Sequence, residues 1–288
     1  MGQSLARIKR RINTVQSTRK ITNSMKLISS IKLRKINKKM ELEDFYHKAM
    51  ACVLNDTIFT NANNPDSDKF TTEFIRTYPE ATKTLYVIVT STMGLCGGYN
   101  NNIIKEFETL YKKGDEVIVI GEKGLLTLGK ESDLVVDTHF IHMAQGYCLD
   151  KVVELRDYLI KKYLTKEYKA IDLIYTRYKN SISFVPDCVR ILPLSVDKNE
   201  RYTYSPIYEP NKEEVVDLVI KEYLKSIIYT RIYTAFLSEE SSRRNTMDAA
   251  DKNARELVDK LRLEFNKARQ SEITQEITEV LNGSNAVR

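Results

Sequence analysis

The chain has 288 residues, with 45 Lys or Arg against 39 Asp or Glu and 42% apolar side chains, enough for the core of one large domain or two modest ones. Its most apolar stretch, Val215 to Leu237, is interrupted by Asp217, Lys221, Glu222, Lys225 and Arg231, which excludes a membrane span of ~18 apolar residues. The opening MGQSLARIKRR is charged without an apolar segment, and Ala6 stands where a myristoylation signal places Ser or Thr, so a soluble cytosolic protein is expected.

In chain order, Leu5, Ile8, Ile12 and Val15 recur at steps of three and four. Met25, Ile28 and Ile36 resume that stripe after a polar gap from Ser17 to Ser24, which predicts a helix over 1–58. Its charge is lopsided: residues 1–40 hold 12 Lys or Arg and no acid. Asn61 to Pro79 is polar with two prolines and reads as a linker. From 80 to 195 the pattern changes to short β-branched runs alternating with helical ones. Strands are predicted at Leu85–Thr90, Glu116–Ile120, Leu134–Phe140, Ile171–Tyr178 and Asp187–Leu194, and helices at Asn101–Lys112, Gly121–Leu128 and Asp150–Tyr163. That alternation implies an α/β unit with an at least partly parallel sheet. Tyr202 to Pro210 is a proline-bounded loop.

The last stretch, 211–283, predicts one helix without Gly or Pro until Gly283 supplies a stop. Its stripe is Met247, Ala250, Ala254, Leu257, Leu261, Phe265 and Ala268, then Ile273, Ile277 and Val280. The steps at Leu257, Leu261, Phe265 and Ala268 lie closer to eleven residues per three turns than to a heptad, favouring a straight or weakly right-handed helix. At ~1.5 Å per residue such a helix is roughly 105 Å long and needs a partner along its length. With a compact unit between two terminal helices that leave the same side of it, one helix approaches and the other departs, so they pair antiparallel, and the longer C-terminal helix is expected to overshoot at the tip or run down the side of the compact unit. Ser238 to Leu281 carries 10 acids and 8 bases. The pair therefore stays strongly basic and calls for an acidic partner.

Chemistry is sparse. Gly94, Leu95, Cys96, Gly97 and Gly98 follow a strand, but GLCGG has neither dinucleotide-fingerprint nor P-loop spacing, and reads as a tight turn rather than a phosphate cradle. His139, His142 and Cys148 are too few for a fixed metal site, and Cys52, Cys96, Cys148 and Cys188 have no paired spacing. No cofactor, metal, catalytic residue or direct nucleotide binding is expected. Most of the 17 tyrosines lie away from the basic helix, which disfavours a stacking platform for nucleic acid.

Three blocks resemble the gamma subunit of F-type ATP synthases, the central rotor stalk. They are RRINTVQSTRKITNSMKLISSIKLRK (Arg10 to Lys35), GLCGGYN (Gly94 to Asn100), and the C-terminal MDAADKNARELVDKLRLEFNKARQSEITQEITEVLNG (Met247 to Gly283). The fold class expected is mixed α+β and α/β: a long antiparallel coiled coil of the N- and C-terminal helices with a Rossmann-like α/β foot domain. The resemblance implies a non-catalytic rotor turning inside a hexamer of alternating alpha and beta subunits, which hold the nucleotides. An epsilon subunit and a membrane ring are further partners, at the cytoplasmic face of the cell membrane. It also implies a catch for an acidic beta loop at Arg269 and Gln270, with Thr274 and Glu276 coupled to the first helix around Met25 and Lys26. An apolar tip at Ile277, Val280, Leu281 and Val287 would turn in a hydrophobic sleeve. The residue-level alternatives are seam packing for Met25 and pairing of Arg269 with Glu272 or Glu276 along its own helix. Thr92 and Met93 depart from the acidic-basic pair that precedes GLCGG in the family. That keeps two other readings in view: a gamma-like subunit of a specialised ATPase driving another mechanical process, and a basic coiled-coil adaptor for nucleic acid.

Overall fold

The computed structural model describes residues 2–62, 72–131, 133–145, 149–194 and 207–286. Residues 63–71 of the expected linker, Cys148, residues 202–206 of the expected loop, and Val287 lie outside the described residues. In chain order the elements are α1 (Gly2–Ala62), α2 (Thr72–Ile75), β1 (Lys83–Val89), α3 (Tyr99–Leu110), β2 (Glu116–Ile120) and α4 (Glu122–Leu128). There follow β3 (Val135–Asp137), a 3-10 turn (Ile141–Gln145), α5 (Leu149–Leu164), β4 (Tyr168–Tyr178), β5 (Phe184–Leu192) and α6 (Lys212–Ala286). Two compact units result: Met1–Ser30 with Arg243–Arg288, and Ile31–Ser242. Both long helices contribute to both units, so these boundaries differ from the three-part division expected from sequence.

The larger unit is built on a five-stranded sheet of order β3-β2-β1-β4-β5. β1 pairs parallel with β2 and β4, β2 parallel with β3, and β5 antiparallel with β4. Alternation along β1 explains the layers. Leu85, Val87 and Val89 point to a core shared with α5, α6 and α1, while Tyr86 and Ile88 meet Ile103, Ile104 and Phe107 of α3. Strands covered on both faces read as unbroken apolar runs, as β1 and β2 do. The third strand is shorter than expected. Asp137 Oδ1 accepts the His139 N–H at 2.9 Å, and this local turn diverts the chain from the ladder before Phe140. β5 begins at Phe184, ahead of the expected Asp187, and takes in Pro186, which an edge strand tolerates.

Gly121 lies between β2 and α4 with φ +96, and a Cβ there would sit 2.2 Å from the Thr90 carbonyl oxygen. Thr90 Oγ1 in turn donates to the Ile120 carbonyl at 2.8 Å and accepts the Gly124 N–H at 3.0 Å.

On the other side of the sheet α6 is enclosed. From Ser226 to Arg243 nearly every residue is buried, because α1 covers one flank and the sheet the other. α1 meets it through Leu33, Ile36 and Leu54, and through Lys32, whose Nζ lies 2.9 Å from Glu240. His47 Nδ1 is 3.0 Å from Ser226 Oγ, and its ring stacks on Tyr223. Burial, followed by the Arg231 guanidinium and Lys48, pushes the His47 pKa below its ordinary value, against an opposing pull from Asp44.

In the smaller unit α1 and α6 pair antiparallel: Arg19 bonds Asp251 and Lys26 bonds Asp248, both at 3.0 Å. On α1 the residues withdrawn from solvent include Leu5, Ile8, Ile12, Val15, Arg19, Thr22, Lys26 and Ser29. On α6 they include Met247, Asp251, Ala254, Val258, Leu261, Phe265 and Ala268. Both series alternate steps of three and four, which is a heptad seam. This corrects the eleven-residue reading of α6: Val258 is 5% exposed while Leu257 is 36% exposed. The cause is Asp251, a polar seam residue held by Arg19, which an apolar-only pattern steps around. Ile28 is likewise exposed rather than part of the α1 stripe. α6 also runs past Gly283 to Ala286, since a helical Gly costs only about 1 kcal/mol and does not forbid another turn.

Two outcomes follow for stability. Gly121→Ala forces both a strained φ and a backbone clash, and urea titration should show a loss of about 3 kcal/mol or more. His47 has a lowered folded pKa, so the unfolded chain binds its proton first as pH falls below ~6.5. Stability from this group is complete above that pH and declines towards the lower folded pKa; in urea melts at pH 7.5 and 5.5, His47→Gln should lose part of the wild-type acid sensitivity.

Candidate functional site

The antiparallel register decides what α6 presents. With Arg19 opposite Asp251 and Lys26 opposite Asp248, α1 starts opposite roughly residues 268–272 of α6. The remainder of α6 continues without an α1 partner. Arg269, Gln270, Thr274 and Glu276 are all exposed, and Thr274 Oγ1 donates to the Gln270 carbonyl at 2.8 Å. Ile277 (54%), Val280 (72%) and Leu281 (58%) form an exposed apolar end.

The expected coupling of Thr274 and Glu276 to Met25 and Lys26 is corrected by this register. Lys26 is taken by Asp248, and Thr274 lies about 39 Å further along α6 at ~1.5 Å per residue. Met25 is half-buried beside the seam, in line with the packing alternative. Lys252, then Lys26, hold the Asp248 carboxyl below its ordinary pKa. Among the described residues Arg269 forms no ion pair with Glu272 or Glu276.

The basic excess of α1 is largely unspent in the fold. Arg19, Lys26 and Lys32 reach acids on α6. Arg7, Lys9, Arg10, Arg11, Lys20, Arg34, Lys35, Lys38 and Lys39 are exposed. In the smaller unit a partner beside α1 meets Arg7, Lys9, Arg10, Arg11 and Lys20, and in the larger unit Arg34, Lys35, Lys38 and Lys39 do the same.

The glycine-rich turn is wired inward. Asn100 Oδ1 accepts the Ser91 N–H at 3.0 Å, and Asn100 Nδ2 donates to Ser91 Oγ at 2.8 Å and to Cys96 Sγ at 3.4 Å. The left-handed residues are Leu95 (φ 63) and Gly97 (φ 60); Gly94 and Gly98 have no positive φ. The turn's outer face then meets α6: Ser242 Oγ donates to the Cys96 carbonyl at 2.7 Å and Tyr99 Oη to the Ala235 carbonyl at 3.2 Å. In open α/β sheets ligands enter beside the carboxyl ends of the strands where strand order reverses, here between β1 and β4. α6 packs there instead. Sequence reasoning missed Ser238, Ser241 and Ser242, which open the polar run SEESSRRNT directly after the apolar stretch of α6 and so resemble the start of a solvated segment. Met93 is exposed at this rim.

The histidines do not converge. His139 Nε2 lies 3.2 Å from Glu154 and His142 Nδ1 3.7 Å from Glu122. Among the described residues no group of three or more His, Cys, Asp or Glu is placed to hold a metal. Cys52, Cys96 and Cys188 are free thiols, and burial raises Cys188 to about 12.

Comparison with known proteins places this architecture. The ATP synthase family model matches residues 4–287. The chain belongs to the ATP synthase gamma-chain family. The curated gamma chain of Malacoplasma penetrans is 36% identical over 98% of both chains, and that of Clostridium novyi 33% over 99% of both. Among solved structures, a chain of the Euglena gracilis mitochondrial ATP synthase OSCP/F1/c-ring assembly matches with a TM-score of 0.67 at 16% identity, covering 100% of this chain and 95% of that one. A chain of the Tetrahymena thermophila central stalk and c-ring assembly matches at 0.56 and 21% identity, covering 80% of this chain and 99% of that one. These last two establish the gamma fold: long N- and C-terminal helices with a mixed sheet between them.

Proposed function

We propose that this gamma-family chain is the non-catalytic central-stalk rotor of a rotary F-type ATPase, coupling rotation to ATP synthesis or hydrolysis in an alpha/beta hexamer. The observation that carries the reading is family membership over nearly the whole chain, joined to an α6 that outruns α1 and leaves its far end exposed. An asymmetric shaft offers a different face to each catalytic site. Its orientation then biases each site's conformational equilibrium through differential contacts. The exposed bases of α1 call for an acidic lining, which alpha and beta subunits would provide. Epsilon and a membrane ring complete the set of partners, and the complex would sit at the cytoplasmic face of the membrane. No described helix is long and apolar enough to cross a membrane.

Arg269 and Gln270 remain the proposed catch for an acidic beta loop, acting from the level where α1 begins rather than through Met25 and Lys26. Ile277, Val280 and Leu281 form the proposed apolar bearing.

Affinity purification of the tagged chain from its own cells tests the reading. Recovery of two nucleotide-binding subunits in a hexamer, together with a membrane ring, is the expected result. A hexamer without the ring would select the specialised ATPase, and salt-sensitive retention on DNA without any ATPase partner would replace the rotor reading. For the catch, Arg269→Ala with Gln270→Ala should lower coupled ATP turnover by about tenfold, the scale of losing one charge-assisted contact, while the isolated chain keeps its helix content. Normal turnover in the assembled complex would remove these two residues from the role.

A further inference from the structure

Serine and threonine hydroxyls in exposed parts of the long helices bond back to their own helix. Thr14 donates to Arg10, Thr18 to Thr14, Ser24 to Lys20 and Thr278 to Thr274, all one turn away. Three buried serines of α6 do otherwise. Ser238 Oγ donates to the Thr176 carbonyl of β4 at 2.9 Å, Ser241 Oγ to the Ser181 carbonyl of the β4–β5 turn at 3.3 Å, and Ser242 Oγ to the Cys96 carbonyl at 2.7 Å. Tyr99 answers from the opposite direction, donating to the Ala235 carbonyl of α6. Residues 235, 238 and 242 share one face of a helix by their spacing. On another side of the same turn, Glu240 is held by Lys32 of α1.

Apolar side chains alone would hold α6 against the sheet, since dispersion and burial are non-directional and tolerate small rotations about the helix axis. Hydrogen bonds to fixed backbone carbonyls do not, because their strength falls steeply with angle. Their acceptors belong to two segments far apart in the chain, the glycine-rich turn and the β4–β5 hairpin, so no single loop movement can follow a turning helix. The polar run also sacrifices apolar contact at a fully enclosed position, which packing by itself does not require.

We infer that Ser238, Ser241 and Ser242, with Tyr99 and the Lys32–Glu240 pair, form a torsional clamp. These positioning residues fix the rotational setting of α6 on the sheet, so that torque entering the α/β unit is delivered along α6 instead of being lost as twist between them. The inference rests on the rotor reading above and assigns to the glycine-rich turn the task of gripping the shaft.

The test uses the assembled complex in sealed vesicles, comparing wild type with Ser238→Ala/Ser242→Ala. Removing two buried donors should lower ions moved per ATP hydrolysed by about twofold or more against an opposing gradient, while hydrolysis in leaky vesicles stays within about twofold of wild type. A bead fixed to the α/β unit of a single immobilised complex should show a correspondingly wider angular fluctuation. Ser242→Thr, which keeps the hydroxyl, should restore both readouts in the Ser238 wild-type background relative to Ser242→Ala. If the double variant does not assemble, Ser242→Ala alone carries the same measurements. Unchanged ion-to-ATP ratio and angular fluctuation, with only a lower melting temperature, would reduce the serines to ordinary stabilisers and overturn the clamp. A wild-type chain that assembles with no hexamer would instead overturn the rotor reading.

Discussion

Between Ser226 and Arg243 the helix α6 has almost no face left to water, and everything else in the larger unit is arranged around that enclosure. A buried hydroxyl or carboxylate without a partner costs about 1–3 kcal/mol, so polar residues at these positions must find acceptors or donors on the surfaces that enclose them. Those surfaces are α1 on one side and the carboxyl ends of β1 and β4 on the other. The glycine-rich turn, the β4–β5 turn and Lys32 therefore converge on one turn of helix. An edge of the sheet that commonly receives small molecules in α/β proteins is here occupied by the chain's own helix.

The smaller unit solves a different problem, that of register. An antiparallel pair with a uniformly apolar seam could slip by a heptad at small cost, because each apolar residue fits several holes. Arg19 with Asp251 interrupts that uniformity within the seam, and Lys26 with Asp248 does so from its flank. Slippage would strand an aspartate that is 7% exposed, which a neutral seam would not penalise. The length of α6 left beyond α1 follows directly from this choice of partners. The exposed end of α6 is thus set by two ion pairs more than five helical turns away from the end itself.

The sequence made the elements legible where physics is local. β2 is read correctly because EVIVI is a short β-branched run between turn residues, and β1 differs only at its ends. The two terminal helices are visible from periodicity and from the absence of helix breakers, and the antiparallel pairing follows from connectivity. The heptad seam was not legible, because its members Arg19, Thr22, Lys26 and Asp251 are polar and an apolar count passes over them. The proposed coupling of Thr274 to Lys26 failed for a related reason: neither sequence contains the offset between two helices joined by some 150 residues of other structure. The serines facing Cys96 and Thr176 were hidden as well, since a polar run in a helix ordinarily signals a solvated face.

The margins of the sheet carry one more consequence. One border, β3, is three residues long, and the other, β5, contains Pro186, which has no amide hydrogen to offer. Among the described residues one border is too short, and the other is interrupted at Pro186, to offer an unbroken row of donors and acceptors on which a second sheet could grow. A free copy of the chain is thereby less prone to polymerise edge to edge.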